Sequence, residues 1–472
     1  MKILLLNPPT PNGKKFIREG RCTQEIGVWG TLWPPISLAT IAAVLEKENH
    51  YVRIVDCPAE NINVSQLKEK ISRFSPHTII WSTGTPSINS DLALGNSIKK
   101  IDSSIITVIF GTHATVLSEE ILEKNQDIDL IVRNEPEFTV QALMRDYVKS
   151  SNLENLEGIT FRDRNGRIHR NISRDFIEPL DQLPFPAWHL LKLSNYRLPL
   201  KGEKFLIINP IRGCPYKCTF CTSRIYYGEK IRKRSIKSVV NEIKFAIENF
   251  KLREFLMWSD TFILDKKYIN GFCSAIQRES LKFSWACNSR CDTVDEIVLK
   301  NMVKAGCWMI SYGIETGNQN ILNNCKKNSR HEDTLLAVKM AKNAGLKVAG
   351  HFIFGLPGET QKTMEETANL SRSLDLDFAQ YYCAVPFPGT ELYNLSKEKG
   401  WIKEENWENY RQDKAILSYP NLSATEIQTF RNKSFKEFYL KARTGIKILQ
   451  MLELKGLKHS VMRLKNFMRW TK

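Results

Sequence analysis

Short apolar runs that end in small or polar residues, separated by stretches of helical spacing, recur along this chain in two series. In the first, Ile3–Leu6, Val52–Val55, Thr78–Ser82, Ile105–Phe110 and Leu130–Val132 read as strands. Pro35–Lys47, Leu67–Phe74 and Leu92–Lys100 carry the helical pattern between them. A strand that is apolar throughout is buried on both faces, and this predicts a parallel sheet covered on each side by helices. The strands stop at Asn7-Pro8-Pro9, Asp56, Thr83-Gly84-Thr85-Pro86, Gly111-Thr112-His113 and Arg133-Asn134-Glu135-Pro136-Glu137. In sheets of this kind, ligands sit outside the carboxyl ends of the strands.

The second series starts near residue 204, with strands expected at Phe205–Asn209, Glu254–Trp258, Phe283–Cys287, Met309–Ile314, Val348–Phe354 and Ala379–Val385. Helical patterns such as Ile236–Phe250, Asp295–Ala305 and Thr334–Ala344 lie between them. Six β/α units in so short a span suit an open, partial barrel better than the closed eightfold one, which takes about 250 residues. Between the two series, Gly158–Asn171 reads as a hairpin turning at Asn165-Gly166, and the Pro-rich Pro179–Trp188 cannot be regular helix. The predicted organisation is α/β: a Rossmann-like domain at 1–145, a linker with a hairpin at 146–203, a partial (β/α)6 TIM-like barrel at 204–400 and a basic helical region at 401–472.

Composition narrows the class. The 472 residues are 42% hydrophobic and 25% charged, as in a globular protein able to bury real cores. The opening run of four apolar residues is too short for a secretory signal, and no stretch approaches the ~20 apolar residues of a membrane span. A cytoplasmic, reducing location is therefore expected, and the 11 scattered cysteines argue for metal or catalytic use over disulfides. The net charge of +17 owes part of its excess to the tail Arg431–Lys472, where cations alternate with Phe435, Phe438, Tyr439, Ile446, Leu449, Met451, Leu452 and Leu454. A helical cap on the barrel with a solvated basic face is the favoured reading, and contact with anionic lipid or a lipid-like substrate is the alternative. Nucleic acid is not expected, since no RNA-binding module is recognisable.

The densest chemical signal is Gly213-Cys214-Pro215-Tyr216-Lys217-Cys218-Thr219-Phe220-Cys221, immediately after the first strand of the second series. Three thiolates on one loop can hold three irons of a 4Fe–4S cubane and leave the fourth open to a small molecule. Structural zinc would want a fourth ligand, and the next cysteine is Cys273. The remaining eight cysteines are expected to be small buried hydrophobes.

This triplet resembles the signature of the radical S-adenosylmethionine (SAM) superfamily. The likeness continues through Trp258-Ser259-Asp260-Thr261-Phe262, Asn288-Ser289-Arg290, Gly313-Ile314-Glu315-Thr316-Gly317, Phe354-Gly355-Leu356-Pro357-Gly358-Glu359-Thr360 and Pro386-Phe387-Pro388-Gly389-Thr390. The resemblance implies that Cys214, Cys218 and Cys221 bind the cluster beside Phe220. It implies that Asp260 lies near the SAM amine, where relatives often carry Gly-Gly-Glu. Arg290 and Lys327 would meet the carboxylate, Glu315 the ribose or amine, Asn288 the same mouth, and Gly355 and Pro357 the adenine.

The first domain resembles the cobalamin-binding domain that precedes many radical SAM barrels. That likeness rests on Asn7-Pro8-Pro9, the segment from Pro34-Pro35 through Leu45, Ile54-Val55-Asp56, Gly111-Thr112-His113-Ala114-Thr115 and Arg133-Asn134-Glu135-Pro136-Glu137. It makes Asn7, Pro9, Ser82, Gly111, Thr112, His113 and Glu135 candidate cobalamin contacts. The Asp-x-His-x-x-Gly pattern of histidine-ligated cobalamin domains is missing, because Cys57-Pro58-Ala59-Glu60-Asn61 follows Asp56. His113 is accordingly expected at the surface or bonded to backbone, not to cobalt. The layout resembles the subgroup of anaerobic Mg-protoporphyrin monomethyl ester cyclases and radical SAM C-methyltransferases. It implies a cobalamin-dependent radical enzyme with a small-molecule or lipid-like substrate and reduced ferredoxin or flavodoxin as electron donor. Methyl transfer to an unactivated carbon is the leading expectation. A cyclase or oxidoreductase without methyl transfer, and a non-catalytic iron–sulfur or cobalamin sensor, are the alternatives.

Overall fold

The computed structural model describes residues 1–10, 13–19, 22–25, 31–149, 153–199, 201–260, 262–441 and 444–447. β1 (Lys2–Asn7) is followed by a short hairpin, β2 (Phe16–Glu19) with β3 (Cys22–Glu25). Then come β4 (Tyr51–Asp56), β5 (Thr78–Ser82), β6 (Ile106–Phe110) and β7 (Leu130–Val132). The order β4-β1-β5-β6-β7 is parallel throughout. The two faces divide the strand residues as the pleat requires. Ile3, Leu5, Ile80, Val108 and Val132 join the core shared with helix Ile36–Lys47. Leu4, Leu6, Ile79, Trp81 and Ile131 pack with Leu67, Ile71 and Phe74 of helix Val64–Phe74. That helix starts where Asn63 and Gln66 cap each other and stops at Ser75, whose φ of 49° breaks the helical path.

The predicted hairpin forms, as β8 (Ile159–Arg162) and β9 (Ile168–Arg170), with Gly166 at φ +82° in its turn. It is more than a connector, because β8 pairs antiparallel with β7 and extends the first sheet to seven strands. The Pro-rich stretch that follows holds only single 3-10 turns.

The second sheet begins with β10 (Leu206–Ile208), after which the two-stranded ribbon of β11 (Ile211–Arg212) and β12 (Arg232–Lys233) stands apart. The sheet continues with β13 (Glu254–Met257), β14 (Ser284–Arg290), β15 (Cys307–Glu315), β16 (Lys347–Phe354) and β17 (Phe378–Cys383). The order is sequential and parallel, with β10 and β17 at the two edges, which is the open six-stranded barrel expected. Helix Ala424–Tyr439 lies against β17 and occupies its edge: the Tyr439 hydroxyl donates to the Ala379 carbonyl, and Arg431 donates to the Tyr381 carbonyl. An uncovered edge strand is a template for unwanted pairing, so this cover has a clear physical role. Residues 401–423 differ from the helical expectation, with isolated bridges and one 3-10 turn; Leu449, Met451, Leu452 and Leu454 lie outside the described residues. Among the described residues no helix is long and apolar enough to cross a membrane.

Candidate functional site

The cysteine loop is framed by the β11–β12 ribbon. Gly213 has φ +92°, and a Cβ there would lie 2.1 Å from the Lys230 carbonyl oxygen, so the residue before Cys214 must be glycine. The Cys214 amide donates to Gly228, the Cys221 amide to Cys218, and the Thr219 amide to the carbonyl of Cys325. Cys214, Cys218 and Cys221 are in no disulfide and are each half-buried, whereas Cys57, Cys273, Cys287, Cys291, Cys307, Cys325 and Cys383 are buried, as expected. Burial pushes the Cys273, Cys291 and Cys383 thiols up to about 12, so they stay protonated and inert. Among the described residues no three His, Cys, Asp or Glu side chains converge as a single-ion site requires. Three half-buried thiols carried on one short loop are the donor type and number that a cubane with one open corner takes from a protein.

Beside the loop, three of the residues expected to hold SAM come together. Lys327 Nζ lies 2.6 Å from Glu315 Oε1, and Arg290 donates to the Lys327 carbonyl and to Asp292. The Arg290 guanidinium stacks 3.6 Å from the centre of the Tyr216 ring, inside the cysteine loop. Burial pulls the Lys327 ammonium down, yet Glu315 and then Cys218 hold it above its ordinary value. Gly313 makes the space, since a Cβ there would meet Glu315 Oε1 at 2.6 Å. Glu315 itself bends at φ +68° past a register shift in β15. The result is a compact cluster of two cations, Arg290 and Lys327, each paired with a carboxylate, Asp292 and Glu315, whose mixed charges could exchange partners with an amino-acid zwitterion.

Other residues expected to meet SAM sit in β14 or just beyond the ends of β13 and β16. Asn288 is in β14 and half-buried; Asp260 is half-buried beyond the end of β13; Thr261 is outside the described residues. Gly355 is in the left-handed region, and its amide and that of Leu356 both donate to Glu359 Oε2. Burial pushes the Glu359 carboxyl up to about 8. Phe220 packs with Leu356 and Ile353, and Pro357 follows half-buried, giving an apolar wall next to the cysteines.

In the first domain the strand order reverses between β1 and β5, the crevice where doubly wound sheets bind ligands. Asn7 and Ser82 line a narrow pocket there with Arg18, Glu19, Leu32, Trp33 and Pro35. The Ser82 hydroxyl is buried and finds no hydrogen-bond partner among the described residues, a demand that a ligand amide or hydroxyl would satisfy. The chemistry of this crevice thus fits a polar appendage of cobalamin. Asn7 is engaged by Asp56 and Arg18, and Pro9 is buried. Gly111 and Thr112 begin the next strand end, where Gly111 (φ +133°) lets the Thr83 carbonyl approach closely.

Two candidates are placed differently from expectation. His113 is not at the surface: it is buried, with Nδ1 3.2 Å from the side-chain Oγ1 of Thr85 and its ring edge-on to Trp407. Burial pulls its imidazole down to about 3, so it stays neutral. Glu135 faces Arg212 and Arg232 at the domain boundary and forms ion pairs with both.

Sequence reasoning missed Arg18, Glu19, Trp33, Arg212 and Arg232. Arg18 reaches Asp91 at 2.8 Å, and Glu19 accepts from the amide and hydroxyl of Ser37. Trp33 meets Trp258 edge-on at 4.5 Å, so the first domain touches the barrel mouth. Burial and then Glu137, Glu19 and Asp260 push the Tyr227 phenol up against the opposing pull of Arg212, so groups from both domains converge on one point. Arg212, directly before the Gly213-Cys214 pair, was the one position whose neighbours could have drawn notice.

Comparison with known proteins bears on both halves. Residues 208–371 match the family model of the radical SAM superfamily, and residues 26–144 match that of the B12 binding domain. An uncharacterised methyltransferase of Pyrococcus horikoshii is 30% identical over 95% of this chain and 94% of its own length. The anaerobic magnesium-protoporphyrin IX monomethyl ester cyclase of Rubrivivax gelatinosus is 26% identical over 86% of this chain and 74% of its own. Among solved structures, the radical SAM methyltransferase TsrM of Kitasatospora setae, with cobalamin and a [4Fe-4S] cluster bound, superposes at a TM-score of 0.69. It is 16% identical, and the match covers 86% of this chain and 76% of that one, which is a likeness of fold.

Proposed function

The chain belongs to the B12-binding radical SAM superfamily, and from that membership we propose that it is a methyltransferase acting on an unactivated carbon of a small-molecule or lipid-like substrate. It is a cobalamin-dependent radical SAM enzyme whose cofactors are a 4Fe–4S cluster, SAM and cobalamin. When bound, the cluster supplies the electron that cleaves SAM to a carbon-centred radical, and cobalamin supplies the methyl group.

The protein's part is placement. Cys214, Cys218 and Cys221 hold three irons and leave the fourth for SAM. Arg290 and Lys327 take the SAM carboxylate, while Glu315 and Asp260 face its amine and ribose hydroxyls. Asn288 borders the same mouth. Phe220, Gly355 and Pro357 wall the adenine. Asn7, Pro9, Ser82, Gly111 and Thr112 line the cobalamin side, and Trp33 against Trp258 excludes water where the two meet. An electron donor of the ferredoxin or flavodoxin kind would approach the half-buried cysteine loop, where Pro215 and Lys217 are exposed.

The observation that carries this reading is the pair of ion pairs, Arg290 with Asp292 and Lys327 with Glu315, packed against the loop of three thiols. Methyl transfer is favoured over cyclisation because the relative named a methyltransferase aligns with nearly the whole of both chains, and the cyclase with less of each. Mass spectrometry of extracts from strains with the intact triplet and with all three cysteines changed to alanine tests it. A metabolite heavier by one methyl group, present only with the intact triplet, is expected. A product differing instead by lost hydrogens or gained oxygen would assign the cyclase or oxidoreductase chemistry. Failure of the anaerobic, reduced protein to form 5′-deoxyadenosine from SAM would leave a sensor.

A further inference from the structure

Four buried charged side chains join the two domains at the base of the cysteine loop. Arg212 ends β11 and Arg232 begins β12, so they are the two ends of the ribbon that closes the loop; they are also cross-strand partners. Both reach across to the β7 corner of the first domain. Arg212 donates to Glu135 Oε1 at 3.1 Å and to Glu137 Oε1 at 2.6 Å. Arg232 donates to Glu135 Oε2 at 2.8 Å and to the carbonyls of Ile177 and Tyr227, and its guanidinium lies 5.0 Å from the centre of the Phe176 ring. The Ile177 amide also donates to Glu135 Oε2, at 2.7 Å. Two carboxylates thus balance two guanidiniums, and each of the four side chains is at most 7% exposed.

Stability alone is a poor explanation for this cluster. Buried ion pairs are often no better than well-packed apolar groups, because desolvation offsets their attraction. Among the described residues, Glu137 Oε2 and Arg232 Nε are buried without hydrogen-bond partners, so the network is not fully satisfied there. Its directional bonds do something an apolar contact does not: they allow one register between the two bodies and no sliding. The corner that carries the carboxylates is itself fixed. Asn134 sits at φ +60° and donates its amide to Thr115 Oγ1, next to the strand-end segment of Gly111 and Thr112.

We propose that Glu135, Glu137, Arg212 and Arg232 are a positioning clamp that sets the distance and orientation between the cysteine loop and the cobalamin domain. The inference rests on the reading of the two halves as cluster and cobalamin sites, and it assigns these four residues no contact with either cofactor. Glu135, expected as a cobalamin contact, is a structural tie instead. Chemistry between two bound groups is sensitive to such ties, since a misplacement of about 1 Å can cost roughly 100-fold in rate.

The test uses the full-length protein, reconstituted anaerobically with iron, sulfide and cobalamin and reduced until cluster and cobalt are both paramagnetic. Glu135→Gln removes charge at constant shape, Glu135→Asp keeps charge but shortens the reach, and Arg212→Lys keeps charge but loses the fork. Lys99→Met removes an ion pair to Asp129 within the first domain and serves as the control for general destabilisation. The spin–spin interaction between cobalt and cluster is read by electron paramagnetic resonance, and methyl transfer from SAM to cobalamin by visible absorption. The wild type and Lys99→Met should share one interaction and one rate. Glu135→Asp and Arg212→Lys, at matched iron and cobalamin content, should show an altered interaction and about a 10- to 100-fold slower transfer. Unchanged interaction in both conservative variants would overturn the clamp and leave the cofactor assignment standing. A wild-type protein that takes up no cluster or no cobalamin would overturn the reading beneath it as well.

Discussion

At the residue scale, the site depends on charges held where water cannot screen them. Lys327 and Glu315 are a buried pair, so Lys327→Met leaves a carboxylate uncompensated and should cost about 3–5 kcal/mol in denaturant titrations. Lys327→Met with Glu315→Gln should recover most of that stability. The double variant should nevertheless bind SAM about tenfold or more weakly in equilibrium dialysis, because one charge-assisted hydrogen bond is worth about 1.5–3 kcal/mol. Equal SAM affinity in the double variant would remove Lys327 from the site. Glu19 gives a pH prediction. Burial raises its carboxyl from the ordinary 4.5 to about 8, so between these values the folded state holds a proton that the unfolded chain releases. Stability is then greatest below pH 4.5 and falls as pH rises toward 8, by up to about 1.4 kcal/mol per pH unit from this group. Glu19→Gln should flatten that decline in urea titrations between pH 5 and pH 8, while the similar contribution of Glu359 remains. The cysteine triplet and the strand-end residues proposed to meet SAM were legible because their residue types and spacing are local. Glu19 and Arg18 were not: their partners Ser37 and Asp91 lie 18 and 73 residues away.

At the scale of elements, legibility followed the hydrophobic pattern. Thr78–Ser82, Leu130–Val132 and Ile236–Phe250 form between the residues expected from pattern alone, since each is apolar enough, or periodic enough, to declare its faces. The β2–β3 hairpin escaped notice because Phe-Ile-Arg-Glu has no period, and its Arg18 and Glu19 are buried only by virtue of their partners. Helix Ala424–Tyr439 combines both kinds of signal. Its start is written locally, in the reciprocal cap of Ser423 and Glu426. Its function as a cover depends on Phe435 and Phe438, which pack around Tyr381 of β17. Phe435→Ala should therefore cost about 3–5 kcal/mol in denaturant titrations, without reducing the iron bound per chain. A loss of bound iron in proportion to stability would mean that the cover also shapes the cysteine loop.

At the scale of the whole molecule, one large core runs through both domains, joining Ile36, Leu38 and Val132 of the first to Leu206, Phe255 and Trp285 of the second. Cys214, Cys218 and Cys221, the proposed cluster ligands, belong to none of the hydrophobic cores among the described residues. The fold should accordingly not need its metal. Removing the iron by chelation, or changing all three cysteines to alanine, should leave the far-ultraviolet circular dichroism unchanged and a single cooperative melt. Unfolding on chelation, as in small zinc domains, would show instead that the loop organises the barrel.

Local pattern alone determined the two runs of parallel strands with their helices, the glycine-led loop of three thiols and the order of polar strand ends around it, because strand burial, turns and ligand spacing are all encoded within a few residues. Only the tertiary structure decided that Glu135 would answer to Arg212 and Arg232, that His113 would be sealed beneath Trp407, and that Trp33 would meet Trp258. Each of those is a contact between distant segments whose residue types carry no periodic mark, and a charge buried by a remote partner looks in sequence like any charge on a surface.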